Sequence, residues 1–247
     1  MADYDNRVMR GQTGAVAGID AGLRSYMLRV YNYMLVGLLL TGATAFLVAD
    51  VPQVRDLFFA VNPQTGRMGM SILGWIALFA PLGLVLFLSF RLDKMSLATA
   101  QTTFWFYAAI MGIGLAPIFL AYTGASVAQT FFITAATFGA MSLWGYTTRT
   151  DLTGFGSFLF MGLIGIIIAS LVSFFVQSTM LMWIISVAGV LIFTGLTAYD
   201  TQWIKNNYAV SDDGQVAGKK AIFGALKLYL DFVNLFLMLL RLMGNRR

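Results

Sequence analysis

Residues 221–242 read AIFGALKLYLDFVNLFLMLLRL, twenty-two positions interrupted by three charges, Lys227, Asp231 and Arg241. A helix that crosses the hydrocarbon core of a bilayer takes about 20 mostly apolar residues, so this stretch is long enough to span. Lys227, Asp231, Asn234 and Arg241 follow one another at spacings of four, three and seven, which places them on a single helical stripe. Asp231 lies ten residues into the stretch, or about 15 Å along a helix, near the middle of a membrane. Ionisable groups at that depth are costly and face protein or a water-filled cavity. The stripe therefore predicts a last helix at the centre of a bundle, with neighbours around it.

The rest of the chain supplies those neighbours. Of 247 residues 59% are hydrophobic, about 146 positions, and only 11% are charged. A soluble domain carries roughly 25% charged residues, and the mean hydropathy of +0.78 is far from that class. Hydropathy predicts seven spans, at 30–49, 72–90, 99–121, 127–146, 155–176, 180–199 and 221–242. The chain divides into a polar N-terminal segment (1–29), one seven-helix transmembrane domain (30–242) and a basic tail (243–247). The connections are short except 50–71 and 201–220, which are expected as loops. Pro81 and Pro117 fall inside spans, where a missing donor favours a kink. Gly112 with Gly114, Gly139, and Gly162 with Gly165 are read as points of close helix approach.

What is missing narrows the chemistry further. The chain has no Cys and no His, and all 11 of its acids are Asp. Disulfides, thiolate chemistry and His-based triads or metal sites are thereby excluded. No cofactor is expected and no firm metal site is assigned. An intramembrane hydrolase would need an aspartyl or Ser-Lys mechanism, and no Gly-x-Gly-Asp sequence surrounds Asp200 or Asp231; the chain is not expected to be an enzyme. The net charge of +5 is read as loop charge held on the cytoplasmic side of a lipid bilayer, not as a nucleic-acid footprint.

Basic residues alternate along the chain. With the N-terminus inside, Arg7, Arg10, Arg24, Arg29, Arg91, Lys94, Arg149, Lys205, Lys219 and Lys220 are cytoplasmic, and the opposite connections hold Arg55 and Arg67. Ten against two predicts a cytoplasmic N-terminus. Arg246 and Arg247 would lie outside after a true seventh crossing, so a re-entrant last segment is the competing reading. Short loops and compact length suggest a prokaryotic plasma membrane.

Asp200 closes the sixth span after Thr194 and Thr197. Consecutive spans run antiparallel, so Asp200 and Asp231 are expected side by side in the cytoplasmic half. Two carboxylates in low dielectric cannot both ionise cheaply, and such a pair shares a proton and titrates as a unit.

The stretches Thr197-Ala198-Tyr199-Asp200-Thr201-Gln202 and Ala225-Leu226-Lys227-Leu228-Tyr229-Leu230-Asp231-Phe232-Val233-Asn234-Leu235-Phe236, with Gly114-Leu115-Ala116-Pro117-Ile118 in the third span, resemble the Bax inhibitor-1 family, also called the transmembrane Bax inhibitor motif family. The resemblance implies an all-α membrane fold, two three-helix layers around a central C-terminal helix. It further implies a pH-sensitive calcium (cation) leak in which an aspartate pair, here Asp200 and Asp231, senses protons. An arginine at the end of the second helix, here Arg91, would hold the pair, with Lys227 and Asn234 as modulators. Calcium would meet Asp200 and Asp231 only in passing. Lys227 replaces a smaller or neutral residue of many relatives, and an acid that some carry in the second helix is missing here; both lower the expected attraction for divalent cations. Two other readings compete. One is a fixed ionic network joining helices without conduction; the other, supplied by the family alone, is a non-conducting regulator that binds membrane-protein partners such as a protease or stress-response complex.

Overall fold

The computed structural model describes the backbone of residues 2–61 and 68–247, and the side chains of 21–60, 69–92, 94–173 and 175–247. Its long helices are α1 (Ala2–Asp50), α3 (Ile72–Arg91), α4 (Leu97–Ala121), α5 (Gly124–Thr147), α6 (Thr153–Val176), α7 (Thr179–Asn206) and α8 (Gly214–Met243), with a short α2 at Pro52–Phe58. Seven of them are long and apolar enough to cross a membrane.

Their starts are written in the sequence. Ser71, Ser96, Thr123, Ser178 and Asp213 each accept a hydrogen bond from the backbone N–H three residues on, meeting one of the donors that a helix N-terminus leaves unpaired. At the far end of α6, Gln177 adopts a left-handed conformation (φ 49°) that turns the chain into α7.

Three expectations change. The polar N-terminal segment is not separate from the first span, because α1 runs through both as one helix. The expected loop at 50–71 contains α2 and an antiparallel pair, β1 (Phe59–Val61) with β2 (Met68–Met70), in register Phe59 to Met70. The expected loop at 201–220 shrinks to 207–213, since α7 continues beyond Asp200 and α8 begins seven residues early. Hydropathy ends a span where the apolar run ends, whereas a helix continues while its backbone bonds are met.

Helices α1, α3 and α4 pack as one group and α5, α6 and α7 as another, with α8 touching α1, α4, α5 and α7. The central position shows in burial: 61% of the most apolar window of α8 is buried, against 17–33% for the other spans. The re-entrant reading also falls. At one end of α4, Gln215 of α8 accepts from the Leu97 N–H; at the other, Tyr122 pairs with Arg246 beyond α8. Helix α8 thus runs the whole length of α4 and crosses. The tail is fixed to the α4–α5 turn by bonds from Thr123 N to Asn245 O (3.1 Å) and from Arg247 N to Ala121 O (3.0 Å).

Close helix approach rests on fewer glycines than expected. Gly112 lies against the Thr41 backbone and Gly162 against Ile192, but Gly139 and Gly165 face open space and Gly114 has only ordinary contact. The tightest crossing is at Gly145, where an added methyl would enter the Ala198 backbone of α7. Gly145→Ala should therefore cost about 1–3 kcal/mol by forcing α5 from α7, while Gly165→Ala is neutral or slightly stabilising. Thermal unfolding of the two purified variants in detergent checks the contrast.

Candidate functional site

The charged residues of α7 and α8 meet on one interface. Gly224 packs on Ile204, Lys227 bonds to Asp200, and Gly189 sits against Met238, so each step along α8 is matched by a step back along α7. This register brings Lys227 to Asp200 and sets Asp231 on the same face of α8, within electrostatic range of both.

Rotation about α8 gives each neighbour its own face. At about 100° per residue, Lys227, Asp231 and Asn234 share a sector, while Phe232 and Tyr229 point elsewhere. Phe232 meets Phe131 and Phe138 of α5 at ring separations of 5.5 Å. Tyr229 is edge-on to Phe104 and Tyr107 of α4 at 6.0 and 5.6 Å. Its hydroxyl lies 2.7 Å from Thr41 Oγ1, which also contacts the carbonyls of Gly37 and Ala108. A threonine hydroxyl has one hydrogen to give a carbonyl, so Tyr229 is the donor to Thr41. Aromatic rings therefore flank the acidic sector of α8 on the sides it does not share with α7.

Within that sector, Lys227 Nζ is 2.8 Å from Asp200 Oδ1, a charge-assisted bond. The ammonium also lies over the Trp203 ring at 4.8 Å, a favourable site for a cation. Asp200 and Asp231 are both buried, at 6% and 4% exposure. Asp231 is within electrostatic range of both Asp200 and Lys227, yet its Oδ2 is sealed from solvent with no hydrogen-bond partner among the described residues.

The sequence-predicted residues divide accordingly. Asp200, Asp231 and Lys227 come together. Arg91 does not: it is exposed at the end of α3 and forms no ion pair among the described residues. The cation that α8 itself carries one turn before Asp231 occupies the place expected for it. Asn234 turns back to donate to the Leu230 carbonyl of its own helix at 2.8 Å, so it satisfies a local bond and does not join the acids. No group of three or more acids able to hold a metal ion occurs among the described residues.

Sequence reading missed Trp203 and a hydroxyl chain behind Asp200. Thr201 Oγ1 donates to the Thr197 carbonyl at 2.7 Å, so Ser142 donates to Thr201 (2.9 Å) and Tyr31 to Ser142 (2.6 Å). The chain has one direction and ends on a backbone carbonyl, joining α1, α5 and α7 without a route to the Asp200 carboxyl. Outside the spans, Asp151 accepts from the Thr153 hydroxyl and N–H, and these bonds hold its carboxyl below the usual range.

The family model described as Inhibitor of apoptosis-promoting Bax1 matches residues 23–247. The chain belongs to the Bax inhibitor-1 family. This Bax inhibitor-1 member is 50% identical over 229 residues to the inner membrane protein YbhL of Escherichia coli K12, covering 92% of this chain and 94% of the relative. It is also 50% identical over 228 residues to the protein RP147 of Rickettsia prowazekii, covering 92% of each. A Caulobacter vibrioides protein is 48% identical over 231 residues, covering 93% and 92%. Family membership and seven spans make the chain a multi-pass integral membrane protein.

The ion pair has a measurable consequence. Lys227→Met leaves Asp200 buried without its cation and should cost about 2–4 kcal/mol of stability. Asp200→Asn combined with Lys227→Met should recover most of that loss, because neither charge then remains. Unfolding midpoints of the single and double variants in detergent test this, and equal losses in both would mean that the pair is not coupled.

Proposed function

We propose that this Bax inhibitor-1 member is a pH-sensitive calcium (cation) leak, gated by protonation of the buried pair Asp200 and Asp231 and closed by Lys227. The observation that carries the proposal is the ionic sector between α7 and α8: a buried carboxylate tied to a lysine, with a second buried carboxyl nearby that has an unpartnered oxygen. Buried charge inside a membrane is expensive to keep and marks ion or proton pathways by default.

The mechanism follows from the order of the groups. With Asp200 ionised, Lys227 spans the interface and its own positive charge stands in the way of a cation. A proton on Asp200 removes the charge-assisted bond, and the ammonium is left with the Trp203 ring. Nothing ionic then holds α7 to α8 at this level, and the interface loosens. The sign is fixed: falling pH adds the proton, weakens the latch and raises flux. Arg91 has no part in this latch, since its exposed side chain lies outside the sector.

The basic residues support an N-terminus in the cytoplasm of a prokaryotic plasma membrane. With Arg246 and Arg247 now on the opposite side, the balance is ten against four, still in that sense.

Purified protein in liposomes loaded with a calcium dye tests the proposal. Flux should rise several-fold from mildly alkaline to mildly acidic pH. Asp200→Asn and Lys227→Met should each leak at alkaline pH and lose most of the pH response. Flux that ignores pH in the wild type, or a full pH response retained by Asp200→Asn with Asp231→Asn, rejects the gate. Absence of flux in every protein would leave the fixed network as the role of these residues.

A further inference from the structure

At the end of the bundle opposite the acids, α6, α7, α8 and the tail enclose an open recess of about 900 Å³. Its wall carries Ser173 from α6, Gln177 from the turn after it, Thr179 from α7, Arg241 from α8 and Arg246 from the tail, and no acid lines it. Neither arginine forms an ion pair among the described residues. Two guanidinium groups of like charge brought to one cavity repel each other unless an anion lies between them.

The second arginine is held there by structure. Arg246 pairs through its backbone with Tyr122 and its guanidinium lies 5.8 Å from the Tyr122 ring centre. The neighbouring Asn245 N–H donates to Ser126 Oγ at 2.9 Å. Arg241 comes from the last turn of the central helix, so the two forks reach the recess from separately anchored backbones. Arginine's planar donors match phosphate oxygens two at a time, and the hydroxyl and amide groups opposite supply further donors. The half-exposed ring of Trp183, a residue type enriched at membrane–water interfaces, also lines the recess.

We infer that this recess is a phosphate-binding site, with Arg241 and Arg246 as its cationic jaws, and that its occupant is the phosphate of an anionic phospholipid. The site stands apart from the α7–α8 acids and does not depend on the leak reading. It takes the shared chemistry of a phosphate anion, which a lipid headgroup or free phosphate can supply.

Full-length protein in detergent, titrated with phosphatidylglycerol or phosphatidylcholine and read by native mass spectrometry, tests the site. Phosphatidylglycerol should be retained in preference to phosphatidylcholine. Arg241→Gln with Arg246→Gln should weaken that retention about tenfold, the scale of one lost charge-assisted contact. Arg241→Lys with Arg246→Lys should keep part of it, and Arg24→Gln, on the other face, should keep all of it. Competition by inorganic phosphate that displaces the lipid would assign the site to free phosphate as well; failure to compete would assign it to the lipid-borne group. No preference for phosphatidylglycerol, or a preference that survives the double Gln variant, overturns the inference. Because both arginines are exposed, the unfolding midpoint of each variant serves as the check that the fold is intact.

Discussion

A carboxylate surrounded by membrane helices has nowhere to turn but to other protein groups, and in this chain the Lys227–Asp200 bond is where that requirement is met. Much of the architecture follows from it. Helix α8 carries both Lys227 and Asp231 on one sector, so that sector must be covered by another helix, and α7 covers it with Asp200 in register. The other faces of α8 are then free to be apolar, and they are closed by Phe232 against α5 and Tyr229 against α4 and α1. A helix clothed on all sides becomes the axis of the bundle, and the two groups of three helices are what remains to wrap it.

The number of spans, the central last helix and the meeting of residues 200, 227 and 231 were legible because each rests on a strong local signal. Apolar runs of about 20 residues are rare outside membranes, and charges three or four apart inside such a run fix a face. Position in space was less legible. The resemblance puts Arg91 with the acids from its place at the end of a span, but sequence distance carries no information about which of several cations reaches a carboxyl across an interface. Lys227 prevails because it rises from the helix that is already packed against Asp200. Asn234 has the right spacing, yet a short amide side chain on a helix finds the carbonyl four residues back before it finds another helix. The glycines show the same limit: a small residue permits close approach, and only the partner's backbone decides whether approach occurs, as Ala198 does at Gly145.

The two ends of the bundle differ in what their charges do. At the end where α8 begins, two lysines of α8 are paired with acids: Lys220 binds Asp212 at 2.6 Å, and farther in Lys227 binds Asp200. At the other end Arg241 and Arg246 line a recess without an acid. A field of one sign at a mouth selects the sign of what approaches it. A cation leaving toward that end would be turned away from the recess, so on the proposed leak its exit lies along another part of the bundle.

The unequal pairing of Asp200 and Asp231 bears on how a proton could be sensed. Lys227 is bonded to Asp200, and Asp231 is left with an unpartnered oxygen. The lysine therefore answers to both acids but bonds to one of them. A change of charge on Asp200 frees an ammonium that keeps the Trp203 ring beside it and also feels the charge of Asp231. Which of the two it takes decides whether the interior gains or loses a positive charge when the latch lets go. In that sense the lysine is the moving part of the proposed gate, and the aspartates are the fixed points between which it is held.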